Sequence, residues 1–282
     1  MASNYAVPMT PTHARWLVGA IGAVACAGHA LGIATAPELP RDMNLAWQQV
    51  PAMYAQLAAG EWGRFGALAV GPGGWIQAAM AAWLRLVGPG PAAFSAPAIR
   101  WVGLTIVSVA GMAWAWGGPR AGVAAAATVA QLPAIVMVAR TGWVHTPEAA
   151  LMALAGWAHA ADPKLTRART LAALAIAGAL TIMLRPSGLV WVAVLAVVVR
   201  SWKPLPFWAI AALPTLPVLR QYVGGKVGVR ERYAETVEGL AHQLFFHLGP
   251  LGCVLVALAV VLAIRGRVRP PLLLGLWAGV AL

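Results

Sequence analysis

Apolar residues do not alternate with polar ones along this chain; they come in long blocks. Charge-free or nearly charge-free runs occupy residues 16–37, 65–84, 101–119, 121–139, 149–161, 170–184, 186–199, 204–219, 239–264 and 270–282. Such blocks predict helices buried in protein or lipid rather than strands. A bilayer crossing needs about 20 apolar residues, so the pattern predicts an all-α, polytopic transmembrane helical bundle with about eight or nine crossings. Arg185-Pro186-Ser187-Gly188 interrupts residues 170–199 and predicts a hairpin there. Gly71-Pro72-Gly73-Gly74 breaks run 65–84, which is therefore read as not crossing. Two segments show helical spacing on a polar background. Residues 43–59 carry Leu45, Trp47, Val50, Tyr54 and Leu57 on one stripe, and residues 231–246 carry Tyr233, Val237, Leu240 and Leu244. Both are predicted to be helices lying in the membrane interface.

Composition narrows the class. Hydrophobic residues make up 61% of the 282 and charged residues 10%, whereas a soluble domain carries about 25% charged residues. The segment from Arg15 to Pro37 starts basic and ends on Ala34-Thr35-Ala36, as a signal peptide would. Its apolar run of about 20 residues exceeds the usual signal core, so it reads as an uncleaved first span. The last run, 270–282, is too short to cross, which predicts that the chain is the N-terminal part of a longer protein. Cys26 and Cys253 each lie inside an apolar run and read as packing thiols. No cysteine or histidine spacing calls for a metal: His242 and His247 do not fall at a helical ligand spacing, and His29 and His159 read as bundle residues. No cofactor is called for, although a divalent metal is left open.

Charge placement then supplies a topology. The net charge is +12, but no basic block with interleaved aromatics points to nucleic acid. The cations cluster between apolar runs, at Lys164/Arg167/Arg169, Arg200/Lys203 and Arg265/Arg267/Arg269, with Arg15 and Arg120 alone. All are expected on the cytoplasmic side. That parity requires run 16–37 to go out and run 101–119 to come back. Residues 38–99 then form a long first extracytoplasmic loop carrying interfacial helices, and 220–247 a second large one. The whole of 1–282 reads as a single module in the plasma (inner) membrane, multi-pass, with a cytoplasmic N-terminus. Glu38, Asp42, Glu61, Glu148, Glu231, Glu235 and Glu238, seven of the eight acids, fall on the outer side, which marks that face as the solvent-facing or functional one. Trp16, Trp47, Trp62, Trp143 and Trp202 lie near predicted boundaries, as an interfacial belt would.

Four arginines stand at outer ends of predicted spans: Arg100, Arg140, Arg185 and Arg220. Each alone can snorkel to headgroups. Together, on the side that basic residues avoid, they point to an anion pocket, and a guanidinium fork suits phosphate. Asp42, just past the first span, is a helix cap for 43–59 or a general base toward a hydroxyl. Glu148, in His145-Thr146-Pro147-Glu148, favours the start of a helix, with a second role as an acid in a cavity left open. Glu61, in Gly60-Glu61-Trp62, is a turn residue or a pocket residue.

The order of Asp42, Tyr54, Gly60-Glu61-Trp62, the Gly71 to Gly88 stretch, Arg100, Arg140 to Glu148 and Arg185-Pro186-Ser187-Gly188 resembles the GT-C superfamily of membrane glycosyltransferases. It is most similar to the family 39, protein-mannosyltransferase-like group that includes the lipid A aminoarabinose transferases. The resemblance implies a polyprenyl-phosphate-linked sugar donor, a hydroxyl acceptor (lipid, glycan or protein) and transfer with inversion at the extracytoplasmic, periplasmic face. It implies that Asp42 is the base, with Glu148 a second acid. Arg100 and Arg185 would be the first cations on the leaving phosphate, backed by Arg140 and Arg220, while Tyr54 and Glu61 would line the pocket. Asp42 is followed by Met43, where many relatives carry a second acid. Two readings compete: a transporter or flippase of an anionic lipid, which needs charges near the midplane of several spans, and a non-catalytic membrane assembly subunit.

Overall fold

The computed structural model describes residues 9–34, 49–70, 73–132, 135, 145–184 and 187–216, and among them all regular structure is helical. Asp42, Arg140, Arg185 and Arg220, the segment 231–246 and the runs beyond residue 216 lie outside the described residues.

Helix α1 spans Pro11–Ala34. Thr10 caps it, accepting the His13 N–H on Oγ1 at 3.2 Å, and Pro11 takes the first helical position, where its missing N–H costs nothing. Three shorter helices follow: α2 (Val50–Ala59), α3 (Trp62–Ala69) and α4 (Gly74–Val87). Gly60 ends α2 in left-handed backbone at φ 72°, as a glycine cap does. The glycine-rich break thus divides run 65–84 into α3 and α4. Val50 and Met53 bury the α2 face against Ile76, Met80 and Leu84 of α4. Met53 falls outside the stripe drawn from the sequence.

Helix α5, Pro91–Ala130, reverses at Gly118 (φ 80°, ψ −174°). A Cβ on Gly122 would stand 3.0 Å from the Ala110 carbonyl and 3.1 Å from Trp114 Cβ. The second arm therefore lies back along the first, and Ala126 and Val129 join Val102 and Ile106 in one cluster. Among the described residues, two stretches are long and apolar enough to cross a membrane, Pro11–Leu31 in α1 and Ala92–Ala130 in α5. The first arm of α5 reaches that length on its own, at about 39 Å against a hydrocarbon core of about 30 Å.

Helices α6 (His145–Ala161), α7 (Ala168–Leu184), α8 (Ser187–Val199) and α9 (Leu205–Ala212, then a 3-10 turn Leu213–Thr215) complete the described fold. Bare glycines let the helices interlock. Trp157 of α6 lies on Gly111 of α5, Gly188 of α8 on the Thr181 carbonyl, and Trp208 of α9 on Gly178 of α7. Trp208 Nε1–H donates to the Ala175 carbonyl at 3.1 Å, which fixes its ring over that gap.

These contacts set directions. Arg15 stands over Trp114 with 6.0 Å to the ring centroid, and Cys26 Sγ–H reaches the Ile99 carbonyl at 3.6 Å, so α1 runs antiparallel to the first arm of α5. Helix α6 runs parallel to that arm, with Pro147 near Arg100 and Trp157 at Gly111. Lys203 Nζ donates to the Leu165 carbonyl at 2.9 Å. One end of the bundle therefore gathers Arg15, Arg120, Lys164, Arg167, Arg169, Arg200 and Lys203. The other end gathers α2 to α4, the start of α5 and the start of α6.

Candidate functional site

At the second end a cleft of about 310 Å³ opens between α4, α5 and the first turn of α6. Its walls are apolar, with Ile76, Met80 and Trp83 from α4, Trp101 and Leu104 from α5, and Pro147 from α6. Among the described residues, Arg100 is the one cation on its lining. The guanidinium carbon sits 4.7 Å from the Trp83 ring centroid, within the range of a cation–π contact.

The position of Trp83 has a sequence-level cause. Pro97 lies inside α5 and has no N–H to give the carbonyl four residues earlier. That carbonyl belongs to Ala93, and Trp83 Nε1–H donates to it at 2.8 Å. A backbone acceptor released by a proline thus pins the indole, and the indole face receives Arg100. No hydrogen bond or ion pair among the described residues occupies the guanidinium, so its N–H edges remain able to meet an anion. Trp101 packs edge-on against Trp75, with 6.3 Å between ring centroids. Trp75 Nε1–H is buried and has no hydrogen-bond partner among the described residues.

Arg100 is expected from the sequence at the outer start of a span, near residue 101. The structure places it in the third turn of a helix that begins at Pro91. The charge does not end the helix because Arg100 points to the exposed side.

Glu148 follows Pro147 in the first turn of α6 and is buried, 6% exposed, with Thr146 also buried. A carboxylate there is favoured by the helix N-terminus. Tyr54 is half-buried, its ring against the cluster shared by α2 and α4. Glu61 is at the surface, where its Oε2 accepts from Arg64 Nη1 at 3.1 Å. Such an exposed pair adds little stability, and no contact brings Glu61 to the cleft. The structure thus brings Arg100 and Pro147 together on the cleft lining, with Glu148 next along the chain, and places Tyr54 against the α2–α4 cluster and Glu61 at the surface. Gly73 N–H donates to the Met183 carbonyl at 2.7 Å, tying the glycine break to the end of α7, two residues before Arg185.

Two features were not anticipated from the sequence. Trp83 is the first, because its stacking depends on the crossing of α4 and α5. The bonding of Asp162, which the charge pattern already leaves on the basic side as the eighth acid, is the second. Asp162 is 7% exposed and accepts the Arg167 N–H at 2.7 Å, the Thr170 hydroxyl at 2.8 Å and the Thr166 hydroxyl at 3.1 Å. The Arg167 N–H is the largest cause holding its carboxyl well below the usual carboxylate range, and the Thr170 and Thr166 hydroxyls add to it against the opposing effect of burial. Its spacing, with threonines four and eight residues on and a helix start between, was the available signal.

Among the described residues, no group of three or more His, Cys, Asp or Glu converges to hold a metal. Set against family models, curated proteins and solved structures, the chain matches none of them.

Proposed function

We propose that the chain is the membrane-embedded module of an inverting glycosyltransferase that takes a polyprenyl-phosphate-linked sugar and passes the sugar to a hydroxyl acceptor. In this reading the bundle is polytopic, the basic end is cytoplasmic and the cleft end is extracytoplasmic. The observation that carries it is the pairing of an apolar cleft with one indole-held arginine at its mouth, beside the buried Glu148 turn. An isoprenoid phosphate has that same polarity, a long apolar chain ending in an anion.

The chemistry follows from the assigned roles. The acceptor oxygen attacks the anomeric carbon as the bond from that carbon to the phosphate oxygen breaks. Asp42 takes the hydroxyl proton, and the lipid phosphate leaves with the electron pair. Positioned cations stabilise charge that develops on a leaving phosphate; Arg100 would do so, with Arg185 as the second cation that the resemblance implies.

The test is transfer of radiolabel from polyprenyl-phosphate sugars in native membranes. Wild type is expected to deplete the labelled lipid. Asp42→Asn, which keeps size and capping capacity but cannot act as a base, is expected to leave it intact. Arg100→Ala should lower turnover by roughly a hundredfold or more, the scale of losing one charge-stabilising donor. Transfer by Asp42→Asn at the wild-type rate would reduce Asp42 to a cap. No transfer from any donor would move the assignment to a lipid transporter or an assembly subunit.

A further inference from the structure

The basic end contains a junction built in an unusual way. Among the described residues, Leu165 and Arg200 are the non-glycine residues with left-handed backbone, each at φ 50°. That conformation is unfavourable for side chains with a Cβ, and rare for one as bulky as leucine. The two residues belong to the α6–α7 and α8–α9 loops, and Lys203 joins those loops through the Leu165 carbonyl. Strained backbone on both sides of one contact persists only where the surroundings hold it, and it marks candidate functional sites.

The junction presents Lys164, Arg167, Arg169, Arg200 and Lys203, all exposed. Asp162 does not cancel them outward, because its oxygens are turned in to Thr166, the Arg167 N–H and Thr170. Beside the cations stands Trp202, 75% exposed, and from it Leu205, Phe207 and Ile210 continue an exposed apolar face along α9. A cationic shelf, an exposed indole and an apolar flank follow one another as phosphate, glycerol region and acyl chain do in a lipid.

We infer that this junction binds the phosphate headgroup of an anionic phospholipid, with Trp202 at the glycerol level and the α9 face against the acyl chains. The occupant is chosen by charge complementarity together with the adjoining apolar face, which a free phosphate would leave unused. The inference rests on the membrane reading above but not on sugar transfer.

The test uses the full chain in nanodiscs of phosphatidylcholine alone or with phosphatidylglycerol. The variant is Lys164→Gln/Arg167→Gln/Arg169→Gln, whose altered side chains hold no other described residue, while the Arg167 N–H still serves Asp162. Wild type is expected to retain phosphatidylglycerol in native mass spectrometry and to unfold at a higher temperature in the mixed discs. The variant should retain roughly tenfold less and lose the thermal gain, yet match wild type in phosphatidylcholine, which shows that it is folded. Equal retention by the two proteins would overturn the site. So would an equal thermal gain from inorganic phosphate in phosphatidylcholine discs, since the junction would then recognise phosphate without lipid. A chain that does not enter discs at all would overturn the membrane reading and this site with it.

Discussion

Asp162 and Arg100 show how single residues behave in a chain with few charges. Asp162 is a carboxylate in a basic neighbourhood, held by a backbone N–H and two hydroxyls. Its folded pKa is depressed, so its contribution to stability is complete above the unfolded value of 3.8 and is lost as pH falls below it. We expect Asp162→Asn to lower the Tm at neutral pH, and the gap to wild type to narrow as the pH drops below about 4. A gap of constant size down to strong acid would assign the effect to shape rather than to ionisation. Arg100 was legible as a cation beside an apolar run, because a charge in a sequence with so few is conspicuous. Its partner was not, because the Trp83 contact depends on a carbonyl that Pro97 leaves free on another helix. Glu61 was legible as a turn or pocket acid, and its Arg64 partner three residues on could have been read as a local pair.

At the scale of elements, apolar runs located the helices better than their ends. Runs bounded by charges placed a helix start near residue 101, whereas α5 starts at Pro91 and carries Arg100 on its exposed side. The turn near Arg120 was legible from the charge, and Gly118 supplies the backbone that makes it. Interlocking was not legible, since a glycine in an apolar run looks the same whether it faces a neighbour or open space. Gly178 lies under Trp208, whose ring is fixed by its bond to Ala175, while Gly22 has nothing within 4 Å. Gly178→Ala is therefore expected to cost about 1–3 kcal/mol, and Gly22→Ala to leave thermal unfolding unchanged. Equal effects at the two sites would mean that α9 does not pack on α7 in this way.

At the scale of the molecule, the packing of the described helices groups at one end the cations of those helices that the charge pattern groups. Arg15, the Gly118 turn, the α6–α7 loop and the Lys203 junction gather at one end, opposite Arg100 and Glu148. That grouping could be read from the cations alone, because alternating runs leave few parities open. The cleft could not, because it forms where α4, α5 and α6 meet and no single run encodes it. The two ends carry different proposals, a donor cleft at one and a headgroup junction at the other, so the position of the polyprenyl phosphate separates them. The most direct measurement is photocrosslinking of a polyprenyl phosphate bearing a photoreactive group near its phosphate, with the labelled peptides mapped by mass spectrometry. Label is expected on the α4 and α5 segments around Met80, Trp83 and Leu104, displaced by unlabelled polyprenyl phosphate and lost in Arg100→Ala. Label confined to the loops around Lys164 and Lys203, or spread without competition over all lipid-facing helices, would contradict it.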